Sequence, residues 1–193
     1  MDEIKVRSLR RMDTKEVLEL VVESLREGFF FNIFLLDNLL TLDILPFNPN
    51  STAGEIAGIS EFQSKYLKNL KEDEEFKDLE KTYVSPGGAF WVLESKGKIV
   101  ACVGLKMMDS KRGMVKRVCV DINHRRKGIG TRIMEITEEF ARERGLEELH
   151  LDCLTTYQVP RTLYEKVGYE IVGKELLEIE GLKSEIYLMK KKL

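Results

Sequence analysis

Residues 118–131 read Val118-Cys119-Val120-Asp121-Ile122-Asn123-His124-Arg125-Arg126-Lys127-Gly128-Ile129-Gly130-Thr131, and the fold turns on how they are parsed. An apolar strand ends, a short polar loop carries His124 and three cations, and two glycines open a helix. Ile129, Ile133, Ile136 and Phe140 then recur on one face from about 128 to 144, where Gly145 stops the run. A helix N-terminus presents unpaired N–H groups and the positive end of the peptide dipoles, which suits a phosphate. Glycine lets those amides approach an anion without an intervening Cβ. Arg125, Arg126 and Lys127 add Coulomb attraction. A dinucleotide fold also uses a two-glycine loop, but after the first strand of a βαβ unit. Here the loop follows the fourth-to-last strand of a mostly hairpin-connected region, which disfavours that fold.

Working outward, 90–94 and 99–107 flank a Lys96-Gly97 turn, and 114–121 is a third strand after the 109–113 loop. Downstream, 149–154 reads as a strand and 160–167 as a short helix closed by Gly168. A final hairpin, 171–179 with 182–189, turns at Glu180-Gly181. Toward the N-terminus, 4–9 alternates as a first strand. Asp13-Thr14-Lys15-Glu16 is capping-box-like, and Val17, Val21 and Leu25 keep helical spacing until Gly28 stops them. Residues 29–47 are strongly apolar, and 54–81 reads as a charged amphipathic helix interrupted near Gly58. The order predicts a mixed sheet with helices on both faces, in one domain over 1–193 with a helical insert at about 29–81.

At 193 residues, 43% hydrophobic and 33% charged, the chain is sized and composed like an ordinary globular domain. Residues 1–11 are charged throughout, so no signal peptide is expected. Cys102, Cys119 and Cys153 sit in apolar strands without metal-ligand spacing, which predicts reduced, buried thiols, no metal site and a cytoplasmic setting. Residues 111–132 hold eight Lys or Arg against one acid, Asp121, in a chain of net charge −2. A chain-wide basic excess would suggest nucleic acid. A basic island in an acidic chain suggests instead a compact anionic ligand, or simply a solvated charge run.

Val118-Cys119-Val120 through Arg125-x-x-Gly128-x-Gly130 resembles the acetyl-CoA motif of the GNAT superfamily of N-acetyltransferases. Leu163-Tyr164-Glu165-Lys166-Val167-Gly168-Tyr169 resembles the later signature of that superfamily, around its frequent acid tyrosine. The separation of the two motifs and the strand order over about 88–190 also match. Phe90-Trp91-Val92-Leu93-Glu94-Ser95, the His124-Arg125 pair, and Leu151-Asp152 with Thr155-Thr156 are most similar to the camello-like branch. That branch includes acetyltransferases of cysteine S-conjugates, of aspartate and of protein lysines.

The resemblance implies an α/β (α+β) fold with a mixed, mostly antiparallel sheet of about seven strands flanked by helices. It implies acetyl-CoA as cosubstrate and a primary amine as acceptor, with direct transfer in a ternary complex. Backbone groups of Val118, Cys119 and Val120 then hold the pantetheine arm. The amides of Arg126, Lys127, Gly128, Ile129, Gly130 and Thr131 hold the pyrophosphate, and Arg125 opens the motif. The 118–120 strand parts from the 149–154 strand, and the thioester sits in the gap. Tyr164 is the candidate acid, because a phenol pKa of ~10 lies near that of a thiol; a tyrosine packing a short helix is the bland alternative.

Asp152 is the candidate base, acting through water, or an anchor for the amine. Alternation puts His150 and Asp152 on one face. His150 reads as a half-buried structural residue, Glu94 as a solvated residue before a turn, and His124 as loop packing. Arg117 either binds an acceptor carboxylate or is surface charge. Tyr157 and Pro160 stand where many members have Asn and Ala, so the Asn contact to the cofactor arm is replaced or lost.

The branch's vertebrate members carry a membrane-embedded segment where this chain has 29–47. Thirteen of those nineteen residues are apolar, but Asn32, Asp37, Asn38, Thr41 and Asp43 interrupt them. A central Asp costs ~2.5–3.5 kcal/mol on insertion scales, and Pro46 ends the run near the spanning minimum of roughly 17 residues. A spanning helix is therefore disfavoured. A helix buried in the fold, docking on a membrane surface and a subunit interface stay open. So do two alternative functions, acetylation of protein lysines or N-termini and non-catalytic acyl-CoA binding; a small amine or amino-acid conjugate is the leading acceptor.

Overall fold

The computed structural model describes the backbone of residues 3–37 and 53–193, and the side chains at 27–37, 53–60, 62 and 63 are not described. Strand β1 (Ile4–Ser8) leads into helix α1 (Thr14–Asp37), and α2 (Ala53–Glu72) is followed by a 3-10 turn (Glu74–Lys77) and a π turn (Glu80–Val84). Then come β2 (Ala89–Ser95), β3 (Lys98–Met107), β4 (Arg112–Val120), α3 (Ile129–Glu143), β5 (Glu148–Leu154), α4 (Gln158–Lys166), β6 (Glu170–Ile179) and β7 (Leu182–Lys192).

The strands form one seven-stranded sheet in the order β1-β2-β3-β4-β5-β7-β6. Every pairing is antiparallel except β4 with β5. Period-two alternation gives the sheet two buried faces. Phe90, Val92 and Cys102 lie with Val17, Val21 and Leu79 on the α1 side. Trp91, Leu93, Val103 and Val115 lie with Ile133 and Met134 on the α3 side. Ile133 and Met134 are fully covered, and burying side chains of this size stabilises by ~1.5–3 kcal/mol each. The mixed sheet between helices is the predicted architecture.

Three local expectations fail, each for a physical reason. Helix α1 runs through Gly28 to Asp37, and α2 runs through Gly58. A glycine inside a helix costs only about 1 kcal/mol against alanine, and Glu27 and Ala57 before the two glycines are good helix formers. The 54–81 helix stops instead at Asp73, whose Oδ1 accepts from the Glu75 amide at 2.9 Å and caps the 3-10 turn. The Asp13–Glu16 capping box does not form. Asp13 accepts from the Arg10 amide at 2.6 Å, while Glu16 accepts from the distant Ile99 amide at 2.7 Å.

Among the described residues, no helix is long and apolar enough to cross a membrane. Of 29–47, the backbone of 29–37 continues α1, while the membrane-surface and subunit-interface expectations rest on side chains and on residues 38–47 that lie outside those described.

Candidate active site

The site begins where two strands stop pairing. Strands β4 and β5 are in register only at Arg112 with Glu148, Gly113 with Leu149 and Met114 with His150. Beyond that point the edges of 115–120 and 151–154 face each other across a gap. A β-bulge coincides with the parting. Cys102 pairs with Cys119 and Gly104 with Lys116, so Arg117 and Val118 together oppose Val103. Arg117 has φ 56°, a left-handed conformation that costs a non-glycine residue about 1–2 kcal/mol.

The bulge shifts the alternation by one. Val115, Val118 and Val120 all pack against the α3-side core, whereas Lys116 and Arg117 both reach the other face. Lys116 Nζ crosses the gap to both carboxylate oxygens of Asp152, at 2.8 Å each. That pair is the first side-chain rung after the ladder ends.

The loop between β4 and α3 has the predicted form. Asp121 caps a short 3-10 turn (Ile122–His124) by accepting from the Asn123 amide, and also contacts His124 Nδ1 at 2.7 Å. Arg125 folds back so that its Nε donates to the Val120 carbonyl at 3.0 Å, and Lys127 Nζ donates to Asn123 O at 2.8 Å. Arg126 (φ 62°) and Gly128 (φ 80°) are both left-handed. The first chain amide of α3 to find a carbonyl is that of Arg132, which donates to Gly128 O at 3.0 Å. Among the described residues, the amides of 126–131 make no backbone hydrogen bond to this loop or before it, so they are available to an anion at the positive helix end.

The two glycines have different duties. A Cβ on Gly128 would meet nothing within 4 Å, so its requirement is the positive φ and the open space in front of the amides. A Cβ on Gly130 would come within 3.0 Å of Leu163 Cδ2. Gly130 therefore lets α3 approach α4, a packing role that the anion argument alone does not contain.

Tyr164 is buried on the α3 side, 7% exposed, with its ring 6.2 Å from that of Tyr169. Burial pushes its phenol well above the usual value, and the nearby Cys153, Cys119 and Asp152 push the same way. It is thus a protonated phenol in the α3-side core. Tyr157 reaches the far side: it packs on the α3-side core, yet its hydroxyl donates to Leu25 O of α1 at 3.4 Å.

Other candidates are placed elsewhere or tied up. Glu94 sits toward the β1 edge, 2.9 Å from Arg7 Nε, and is not simply solvated. His150 Nε2 contacts Glu148 at 3.1 Å, a structural setting. The three cysteines are free and buried. Among the described residues, no group of three His, Cys, Asp or Glu converges on a point. A depression lined by Lys111, Arg112, Glu147 and Glu148 lies at the paired end of β4 and β5, away from the gap.

Arg117 is neither surface charge nor free for an acceptor. Its side chain is 14% exposed, Nε donates to Glu75 Oε1 at 2.8 Å, and the guanidinium lies 4.9 Å from the centre of the Phe76 ring. Glu75 also accepts from the Tyr83 hydroxyl (2.5 Å) and from Lys106 Nζ (3.1 Å). Burial opposes its ionisation, but Arg117, Tyr83 and Lys106 outweigh that and hold it at about 2. Glu75 was not a sequence candidate, because nothing local distinguishes it from Glu72 or Glu74.

A model of the acetyltransferase (GNAT) family matches residues 56–169. The chain belongs to the GNAT family. It is 34% identical over 106 residues to N-acetyltransferase 8 of Homo sapiens, covering 52% of this chain and 47% of that protein. It is 31% identical over 128 residues to the probable N-acetyltransferase camello of Xenopus tropicalis, covering 65% and 58%. These two matches span about half the length of those relatives. Against the probable N-acetyltransferase family 8 member 5 of Mus musculus it is 28% identical, covering 88% and 85%. The camello-like branch is thereby the one this GNAT protein resembles.

Among solved structures, a GNAT acetyltransferase of Staphylococcus aureus superposes with a TM-score of 0.66 at 14% identity, covering 99% of each chain. The PaiA N-acetyltransferase of Thermoplasma acidophilum, solved in complex with coenzyme A, does so at 0.61 and 16%, also covering 99% of each. At such identities the likeness is one of fold.

Proposed function

We propose that this chain is an N-acetyltransferase that moves an acetyl group from acetyl-CoA to a primary amine by direct transfer. One observation carries the reading: a helix start with unpaired amides stands at the end of the same strand, β4, that parts from β5. An acyl-CoA needs both features, a cradle for its diphosphate and a slot for its arm. The amides of 126–131 suit the diphosphate, with Arg126 and Lys127 supplying charge. The edge of Val118, Cys119 and Val120, where only the Val120 carbonyl is already met by Arg125 Nε among the described hydrogen bonds, suits the amides of the pantetheine arm, as a strand adds to a sheet edge.

With the thioester in the gap, the neutral amine attacks its carbonyl from the α1/α2 side. The N–C bond forms, the C–S bond breaks, and the thiolate needs a proton. Tyr164 supplies it: its phenol is buried in the same core cluster as Cys153 of β5 and is protonated at neutral pH. Asp152 anchors the amine, because an ammonium already binds both its oxygens and an incoming one replaces it. Water beside that carboxylate takes one proton from the bound ammonium to free the neutral amine and a second as the amide forms, and solvent returns a proton to Tyr164 after the thiol leaves. A small amine or amino-acid conjugate is the acceptor favoured by the camello-like resemblance.

The test is release of free coenzyme A from acetyl-CoA across a panel of amines, alongside a Tyr164→Phe variant. Removing a general acid should lower kcat about a hundredfold with acetyl-CoA affinity unchanged. Turnover by the variant equal to wild type at every pH would remove Tyr164 from the mechanism. Binding without turnover across the panel would favour a non-catalytic acyl-CoA module.

A further inference from the structure

We infer that Arg117, clamped by Glu75, is a positioning residue that holds the β4 bulge and so keeps the strand edge presented to the pantetheine arm. The inference rests on the gap being the acyl-CoA slot.

A left-handed backbone at a residue with a side chain persists only where surrounding contacts over-determine it. At Arg117 those contacts can be named. Glu75 Oε1 lies 2.8 Å from Nε, Asp73 Oδ2 lies 3.6 Å from an Nη nitrogen, and Phe76 lies under the guanidinium. All three belong to the short segment after α2, and Glu75 is itself fixed by Tyr83 and Lys106. The clamp grips the one residue that throws β4 out of alternation with β3.

The bulge puts Val118 and Val120 on the α3-side core together with Val115, which fixes how the main chain of 118–120 is turned toward the gap. Lys116, which precedes the bulge and reaches Asp152 across the opening by ordinary alternation, marks where the change of phase begins. Loss of the clamp removes the ion pair that opposes relaxation of Arg117 into extended backbone. The pleat beyond Lys116 would then change phase, and the arm-binding groups would turn away. The diphosphate cradle, built by local main-chain geometry at 125–131, would survive that change. This separates the inference from a purely structural ion pair: loss of the clamp should weaken ligands with a pantetheine arm and spare those without one.

The experiment is calorimetric titration of the 193-residue chain as wild type, Arg117→Gly and Arg117→Lys with acetyl-CoA and, separately, with adenosine diphosphate. Glycine adopts a positive φ without strain, so the bulge is permitted but no longer held. Lysine keeps the charge and loses the fork, which guards against a variant that does not fold. Asp13→Asn breaks the comparable Arg7–Asp13 pair (2.6 Å) far from the gap and serves as control. Arg117→Gly should bind acetyl-CoA about tenfold more weakly, a change of ~1.4 kcal/mol, with adenosine diphosphate unaffected. Arg117→Lys should fall between, and Asp13→Asn should match wild type for both ligands. Unchanged acetyl-CoA affinity in both Arg117 variants would overturn the inference, as would equal loss for both ligands. Wild type that binds neither ligand would sink the acyl-CoA reading itself.

Discussion

The two features that border the gap are built by opposite means. The cradle at 125–131 is local and made mostly of main chain: two left-handed residues, a helix start and two side chains folded back on carbonyls within five residues. The bulge at Arg117 is long-range and made of side chains, with a guanidinium held by a carboxylate 42 positions earlier. A main-chain site tolerates changes in side-chain chemistry but not in backbone hand. A clamped bulge tolerates changes in backbone preference but not loss of its ion pair. The same ligand would therefore be lost in two distinguishable ways.

The sharpest break in that contrast is Gly128→Val. A β-branched residue at φ 80° is strained, and its methyls stand in front of the amides. Acetyl-CoA affinity by calorimetry should fall about a hundredfold, ~2.7 kcal/mol. Affinity retained within a factor of two would mean that the anion is held by the cations instead.

Acid should act on the bulge through Glu75. Glu75 has a folded value of about 2 against an ordinary 4.5, so the stability it contributes is complete above pH 4.5 and is lost as pH falls through 2. The amount is on the order of 3 kcal/mol. Denaturant melts should show this slope in wild type and a smaller one in Glu75→Gln; identical slopes would show that another carboxylate dominates.

The smallest effect belongs to Lys116→Ala. Each partner of the Lys116–Asp152 pair is about one-third exposed, so stability should change by only about 0.2–1 kcal/mol. Any larger loss, seen as a midpoint shift beyond about 4 °C, would mean that this rung holds the two strands together.

What could be read from the chain divides along the same line. The α3 face, the glycine stop at Gly145 and the strand pairs follow from spacing and turn residues, which are local signals. So does the cradle, because its geometry is written in consecutive residues. The role of Arg117 was hidden: the sequence shows a cation in a basic island, and only the fold brings Glu75 beneath it. Glu16 was hidden for the same reason, since its partner is the Ile99 amide across the sheet. Gly28 and Gly58 misled in the other direction, because a helix continues through a glycine when its neighbours favour it.

The account stands on main-chain amides gripping a diphosphate, and amide chemical shifts report that contact directly. Isotope-labelled protein titrated with acetyl-CoA should show its largest downfield amide-proton shifts at residues 127–131, with the same shifts produced by adenosine diphosphate. Saturation with no shift in those amides, while side-chain signals of Arg126 and Lys127 respond, would contradict it.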